Sequence, residues 1–330
     1  MRFNYASIRC TLLNIVRALA VAALLSSGAF AQTYPSRPIK LVVPFTPGTG
    51  YDSIARIVSP TLAQRLGQPV VVENIPGASS TIGAGNVARA EADGYTLLMI
   101  GESTIASGHL YRSLSFNPLT AFVPISLAGR GTLILVVSPA TGIKNLAELI
   151  ARAKAAPAEL TYSSPGVGTS QHLKMELFNN VAGIKMLHVP YKGSAGAIND
   201  LIGGRITAGL VPVHSGMPHI KAGRMVPLAI ISPSRNAMAP EVPTFKEMGI
   251  QGVDANMWYA FVAPKGTPAS IVTQLNSELR AVMGMPDVKA KLEGIGLEVK
   301  TSSPAELEAI MERESREGAQ IIRENRISLD

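Results

Sequence analysis

The sequence predicts an α/β protein built as two units that enclose a cleft. Three observations carry the prediction. Short apolar runs alternate with helical patterns over most of the chain, which predicts mainly parallel sheets covered by helices. One local device, an apolar strand running through a glycine turn into a helix start, occurs twice, at residues 39–56 and 160–178. A length of 330 residues is long for one compact domain and comfortable for two.

Residues 39–45 (IKLVVPF) read as a buried strand rich in β-branched residues. In Thr46-Pro47-Gly48-Thr49-Gly50 the two glycines stand where the backbone takes a positive φ or comes close to something. From Asp52 the pattern is helical, with Ile54, Ile57, Val58, Leu62 and Leu66 on one face. Pro60 kinks or divides this helix and Gly67 ends it. The first-turn N–H groups of a helix have no partner inside it and point outward with the positive end of the dipole, so the turn is a holder for an anion. Val70-Val71-Val72 is a second strand. A small-residue turn at 76–81 leads into a helix through Val87 and Ala88. Residues 95–100 are a third strand, stopping at the polar turn Gly101-Glu102-Ser103-Thr104. Ligands of parallel sheets gather at the carboxyl ends of the strands, so these three turns line one edge.

Asn117-Pro118 and Val123-Pro124 break the rhythm. Residues 133–137 (LILVV) open a second series, followed by a helix at 146–155 and a strand at 160–163. That strand runs into Ser164-Pro165-Gly166-Val167-Gly168-Thr169-Ser170 and a helix to Phe178. Further strands fall at 186–189, 206–210 and 226–231, with a short helix at 197–202. Pro190-Tyr191-Lys192-Gly193 closes the first of these strands. An aromatic run at 254–263 (DANMWYAFVA) returns the chain to the first unit, and helices at 268–283 and 305–323 complete it. Glutamates and arginines mingle on the last helix, as on a solvated face.

Residues 1–31 read as a secretory signal peptide. Basic residues come first, then the apolar run ALAVAALL, then Ala29-Phe30-Ala31 as a cleavage site. The single cysteine, Cys10, falls inside it, so the exported chain has no disulfide and no thiol chemistry. Of the 30 basic residues, Arg2, Arg9 and Arg17 also belong to this acid-free segment, leaving 27 against 23 acids, or +4. That balance is too mild and scattered for nucleic acid, and it suits an acidic small molecule. Periplasmic localisation follows.

No catalytic signature emerges. His109, His172, His188, His214 and His219 form no HExxH pattern, and without cysteine a metal site would need scattered histidines and carboxylates. Gly193-Ser194-Ala195-Gly196 is not a nucleophile elbow. Gly166-Val167-Gly168 lacks the third glycine of a dinucleotide fingerprint, and there is no phosphate-binding P-loop. Asp52 reads as a helix-start residue bonding backbone N–H groups rather than a general base. His172 reads as a helix residue bonding a neighbouring loop. Lys192 reads as either an anion-attracting or a solvated charge.

Eight segments, in order over nearly the whole mature chain, carry a family resemblance. They are PIKLVVPF from Pro38 with PGTGYD from Pro47, LGQPVVVEN from Leu66, DGYTLL from Asp93, GTSQHL from Gly168, HVPYKG from His188, PHIKAG from Pro218 and VAPKGTP from Val262. The chain resembles the substrate-binding receptors of tripartite tricarboxylate transporters, the Bug receptor family. The resemblance implies a two-lobed Venus-flytrap of the type II periplasmic binding protein fold. Lobe 1 then comprises residues 32–129 and 256–330, and lobe 2 residues 130–255. It implies a carboxylate held between a turn of each lobe and delivered to a membrane permease by a monomer that needs no cofactor or metal.

Carried over by position, the ligand-binding residues are Thr46, Gly48, Thr49, Gly50, Tyr51 and Asp52 in lobe 1, with Ser103 from the third turn. In lobe 2 they are Ser164, Gly166, Gly168, Thr169 and Ser170, with Val211. Three departures bear on the ligand. Thr46 and Thr49 replace a proline and a glycine, and Tyr51 replaces a small residue. Val211-Pro212-Val213-His214 stands where relatives often carry an aspartate that meets a ligand ammonium, which argues against an amino acid. An added aromatic and an apolar wall favour a flat carboxylate such as terephthalate, although Tyr51 is equally suited to packing on a neighbouring loop. Trp258 and Tyr259 read as hinge packing. The competing functions are an exported enzyme acting on a carboxylate and a chemosensory carboxylate receptor.

Overall fold

Residues 39–43 are a strand because four apolar side chains, three of them β-branched, with one lysine turned to solvent, suit a position buried in a sheet. The computed structural model describes residues 34–253 and 257–327. The expected signal peptide at 1–31 with Cys10, and Asp254, Ala255 and Asn256 at the head of the aromatic run, lie outside the described residues. The unit considered below begins at Arg37.

The first series is β1 (Ile39–Val43), α1 (Gly50–Leu66), β2 (Val70–Asn74), a 3-10 turn at Ala78–Ser80, α2 (Thr81–Ala88), β3 (Thr96–Gly101), α3 (Glu102–Leu110) and β4 (Phe122–Gly131). The second is β5 (Leu133–Val137), α4 (Leu146–Ala155), β6 (Thr161–Ser164), α5 (Ser170–Ala182), β7 (Leu187–Pro190), α6 (Ser194–Ile202), β8 (Ala208–Pro212), α7 (Val213–Lys221) and β9 (Val226–Ile231). Then come β10 (Met257–Pro264), α8 (Ala269–Gly284), α9 (Pro286–Gly294), β11 (Leu297–Val299) and α10 (Pro304–Glu324).

The strands form a six-stranded sheet, β11-β4-β10-β3-β1-β2, and a five-stranded sheet, β7-β6-β8-β5-β9. The chain passes from the first to the second at Thr132 and returns between β9 and β10. Each sheet has its own core. Leu98, Ile100, Trp258, Leu307 and Met311 meet in one, and Ile134, Val136, Leu201, Met217 and Ile230 in the other.

Four expectations are corrected. The sheets are mixed rather than mainly parallel. β1 runs parallel to β2 and β3, and β6 to β7 and β8, but β3–β10, β10–β4, β4–β11, β5–β8 and β5–β9 are antiparallel. Parallel pairing holds where strand–helix–strand alternation continues and fails at the strands that join the sheets. Pro60 does not divide α1, which runs through it with Ile54, Ala55, Val58 and Leu62 buried. Pro124 lies inside β4. The β4–β10 register slips between Phe261 and Val262, and the carbonyl of the bulged Ile125 accepts from Asn276 Nδ2 at 2.7 Å. A proline is tolerated at such an irregularity. Finally, Gly101-Glu102-Ser103-Thr104 is not a turn, because β3 passes directly into α3 with Glu102, Ser103 and Thr104 buried.

Candidate ligand-binding site

The parallel strands of both sheets aim their carboxyl ends at one cavity of about 460 Å³. After β1 come Phe45, Thr46 and Gly48. After β2 come Pro76, Gly77 and Ser79, and after β3 comes Ser103. The second sheet answers with Gly166 and Thr169 after β6, Tyr191 and Lys192 after β7, and His214 and Ser215 after β8. Met257 and Tyr259 of β10, which enters antiparallel at the same edge, complete the wall.

The first turn is held by Asp52. Its Oδ2 accepts from the Gly48 N–H at 3.0 Å, and its Oδ1 accepts from Arg56 Nε and Asn74 Nδ2, each at 2.9 Å. Burial alone would raise this carboxyl, but the hydrogen bonds from Arg56, Gly48 and Asn74 outweigh it and hold the group below the ordinary aspartate range. The two glycines serve different needs. Gly48 takes φ +82°. Gly50 makes room, since a Cβ there would lie 2.6 Å from Tyr259 Oη. The helix begins at Gly50 with Thr49 as its N-cap, so its first-turn N–H groups have no partner within the helix, and Gly50 and Tyr51 of that turn line the cavity.

Tyr51 is 6% exposed. Its ring stacks on Phe45 at 4.3 Å and meets Tyr259 edge-on at 4.7 Å. Burial, then the nearby Tyr259 and Glu102, push its hydroxyl well above the usual tyrosine range, so it stays neutral. Tyr51 therefore reaches the wall as a packed ring with one face already covered, and half-buried Phe45 is the aromatic beside it.

The turn after β2 carries the most strained backbone of the site. Ala78, Ser79 and Ser80 all have positive φ, at 43°, 51° and 84°, a region that costs a non-glycine residue roughly 1–2 kcal/mol. Hydrogen bonds hold them there. Thr81 Oγ1 donates to the Ala78 carbonyl at 2.8 Å, Ser80 Oγ to Thr104 Oγ1 at 3.0 Å, and Ser79 Oγ to the Val167 carbonyl of the facing turn.

The second-sheet turn is held from within. Thr169 Oγ1 donates to the Gly166 carbonyl at 2.7 Å, and the Gly168 N–H donates to His172 Nδ1 at 3.0 Å. His172 thus takes the loop-holding role expected of it. Tyr162, His188 and His172 form a near-parallel stack, with centroids 4.9 Å and 3.9 Å apart along it. Burial pushes His188 down to about 4, and burial with the adjacent His188 pushes His172 down to about 3, so both rings are neutral near pH 7. Ser164 Oγ is 2.7 Å from His188 Nε2, but it donates to the Gly166 carbonyl and lies behind the wall. It is a structural hydroxyl rather than an activated nucleophile.

The helix starts of α3 and α5 meet beside the cavity. The Ser170 N–H donates to Ser103 Oγ at 3.2 Å, Ser170 Oγ donates to Glu102 Oε2, and Lys174 Nζ lies 3.3 Å from Glu102 Oε1. Burial raises the Glu102 carboxyl to about 7. Lys174 opposes the rise and Glu314 adds to it.

Of the residues expected to bind ligand, Thr46, Gly48, Thr49, Gly50, Tyr51, Ser103, Gly166 and Thr169 line the cavity. Five stand behind the wall. Asp52 is turned to the Gly48 N–H, Ser164 to Gly166 and Gly168 to His172. Ser170 is spent on Ser103 and Glu102. Val211 is buried in the second core. The Gly48 N–H, expected to hold the ligand charge, is already taken by Asp52. The residues missed are those after β7 and β8 and at the head of β10, while the turn after β2 was expected at this edge but left out of the ligand-binding set. Applying the carboxyl-end rule to the second series as well as the first finds most of them. Tyr259, read as hinge packing, is at the wall, whereas Trp258 is in the core.

Among the described residues the wall carries one cation, Lys192, and no carboxylate. His214 is held below the usual histidine range by burial. Two sheets whose strand ends close on one anion-tolerant cavity define the class, a two-lobed Venus-flytrap of the type II periplasmic binding protein fold. The solved periplasmic binding protein BugD has that fold, with a TM-score of 0.82 and 30% identity over 89% of this chain and 99% of its own. Residues 54–327 match the tripartite tricarboxylate transporter family receptor, and the chain belongs to that family. It is 36% identical to protein BugT of Bordetella pertussis over 320 residues, 94% of this chain and 98% of that one. An R. palustris protein solved with adipate superposes with a TM-score of 0.84 and 33% identity, covering 89% of this chain and 99% of its own.

Proposed function

We propose that this chain is a periplasmic receptor that captures an organic carboxylate between its two lobes and hands it to a tripartite membrane permease, acting as a monomer. The lobes are residues 32–129 with 256–330, and residues 130–255. One observation carries the reading. The cavity where the strand ends converge takes in the helix start at Gly50 and Tyr51 and has a wall with one cation and no acid among the described residues, a combination that favours an anion. The relative solved with adipate supports a carboxylate as that anion. Phe45, Tyr51, Tyr191 and Tyr259 in the wall favour an aromatic dicarboxylate, of which terephthalate is the specific candidate. Among the described residues the serine–histidine contact beside the cavity, Ser164 with His188, lies behind its wall, so binding without chemistry is the better reading than an enzyme.

The experiment is thermal unfolding of the exported chain across a panel of aliphatic, amino and aromatic carboxylates, with mass spectrometry on every compound that stabilises it. Stabilisation that rises with ligand concentration, as mass action requires, and unchanged compounds are expected. Turnover of a stabilising compound refutes the receptor reading. Hits confined to amino acids refute the aromatic one.

A further inference from the structure

Glu102 and Lys174 are a buried ion pair that stands outside the cavity wall and takes no part in the anion-holding turns. Its two members belong to different sheets. Glu102 opens α3, which leaves the six-stranded sheet through β3, and Lys174 lies in the first turns of α5, which leaves the five-stranded sheet through β6. Ser170 ties them together. Its Oγ donates to Glu102 Oε2, and its N–H donates to Ser103 Oγ at 3.2 Å. Ser103 and Thr169, the chain neighbours of Glu102 and Ser170, line the cavity. Parting the two sheets beside the cavity therefore breaks these bonds. Ser79 Oγ on the Val167 carbonyl also joins the two sides, but both of those groups are neutral and neither gains nor loses a proton.

The Glu102 carboxyl is poorly served as an anion. Among the described residues Oε1 accepts no hydrogen bond and faces Lys174 Nζ 3.3 Å away. A buried oxygen without a hydrogen bond costs more in a carboxylate than in a neutral acid. Along the same helices, Ala106 and Leu110 of α3 meet Leu173 of α5 and Ile322 of α10 in an apolar contact. Glu314 of α10 adds a like charge, itself paired with Arg313 at 3.3 Å. The hydroxyls of Tyr51 on α1 and Tyr259 on β10 are pushed up, by burial and by Glu102 among other causes, and stay neutral. Lys174 is the cation that opposes the rise, and burial outweighs it, leaving the carboxyl at about 7. When α5 moves away, Ser170 and Lys174 go with it and water takes their place, which returns the group toward its ordinary range near 4.5.

We infer that Glu102, Ser170 and Lys174 form a clasp between the lobes that takes up a proton as the cleft closes, so that the ligand is held more tightly as pH falls. The inference rests on the two-lobed receptor reading above and adds a proton to the closure. The test is calorimetric titration with terephthalate and with adipate from pH 6.5 to pH 8.5, in buffers of different ionisation enthalpy, which counts the protons taken up. Affinity should be about fourfold weaker at pH 8.5 than at pH 6.5, with about half a proton taken up per ligand at pH 7. Lys174→Met should raise that uptake toward one proton and carry the fall in affinity to higher pH. The double variant Glu102→Gln with Lys174→Met, which leaves no unpaired charge behind, should bind with no proton uptake. A wild-type chain whose affinity is flat across this range, with no proton taken up, overturns the inference and leaves the receptor reading intact. Uptake that persists in the double variant also overturns it, since the proton would then sit on another group such as His214. A second readout needs no ligand. Spin labels on Val71→Cys and Leu187→Cys, exposed positions on the outer strands β2 and β7, should shift toward shorter separations as pH falls, and the double variant should lose the shift. If neither probe binds, the carboxylate reading falls, and an absent shift overturns the clasp as well. Thermal unfolding of each variant checks that the fold is kept.

Discussion

Removing Lys174 alone should cost more than removing it together with the Glu102 charge, and the difference should grow with pH. The two side chains are each 9% exposed and 3.3 Å apart, so solvent screens them little. Lys174 opposes the rise of Glu102, so in Lys174→Met the carboxyl moves further up and stays protonated above pH 7, at about 1.4 kcal/mol per pH unit. The wild-type group already ionises near 7, so Lys174→Met should cost under about 1 kcal/mol through this group at pH 7 and up to about 3 kcal/mol at pH 9. In the double variant with Glu102→Gln both charges are gone, the introduced glutamine amide keeps a hydrogen-bonding group for Ser170, and the net change at pH 7 should stay within about 1 kcal/mol. Urea unfolding of the single and double variants at pH 7 and pH 9 measures this. A Lys174→Met variant as stable as the double variant at pH 9 would refute the account of a desolvated pair. The pH dependence has a defined sign. Because burial raises Glu102 to about 7, the native chain holds more protons than the unfolded one between about 4.5 and 7. Its contribution to stability is complete below that window and is lost as pH rises through it.

Other sites give separate tests. Asp52→Ala removes the acceptor of the Gly48 and Asn74 donors and should cost about 1–3 kcal/mol in chemical unfolding, with faster hydrogen exchange at Gly48, while Asp52→Asn recovers part of the loss. Gly101→Ala puts a Cβ against Tyr51 Oη and 2.6 Å from the Trp258 carbonyl. It should destabilise by about 3 kcal/mol and disturb the near-ultraviolet dichroism of the tyrosine cluster. His188 and His172 are pushed down to about 4 and 3, so the unfolded chain takes up protons first as pH falls below about 6.5, and stability declines there. His188→Phe, which keeps the stack, should flatten that acid limb, and an unchanged limb would place the titration elsewhere.

What was legible in the sequence was local. A strand, a glycine turn and a helix start lie within one short window, so the turns after β1 and β6 were found along with the anion-holding logic they share. What was hidden depended on partners far along the chain. Glu102 sits in Gly-Glu-Ser-Thr, a composition that fits a loop, and its burial is explained only by Ser170, 68 residues on, and by Lys174 on the same helix. Pro124 argued against a strand until Asn276, 151 residues from the bulged Ile125, was seen to take the carbonyl. Tyr51 invited a stacking role because its neighbours in sequence are small. Its neighbours in space, Phe45, Gly101 and Tyr259, are what bury it. Lys192 was visible as a charged turn, but nothing nearby in sequence says that Gly193 beside it comes up against Thr46.

The place of β10 between β3 and β4 also bears on how the chain is made. In sequence β10 comes after the whole second sheet, yet Met257–Pro264 supplies the central rung of the first, with Ile100 opposite Ala260 on one side and Leu127 on the other. Residues 37–131 therefore leave the ribosome with a vacant slot in their sheet, while β5 to β9 are contiguous and complete before the filling strand exists. The interrupting segment can close ahead of the one it interrupts, reversing the N-to-C order usual among folding units. Until residue 264 is made, the facing edges of β3 and β4 are open templates for mispairing, and a chain ending anywhere before that point keeps both.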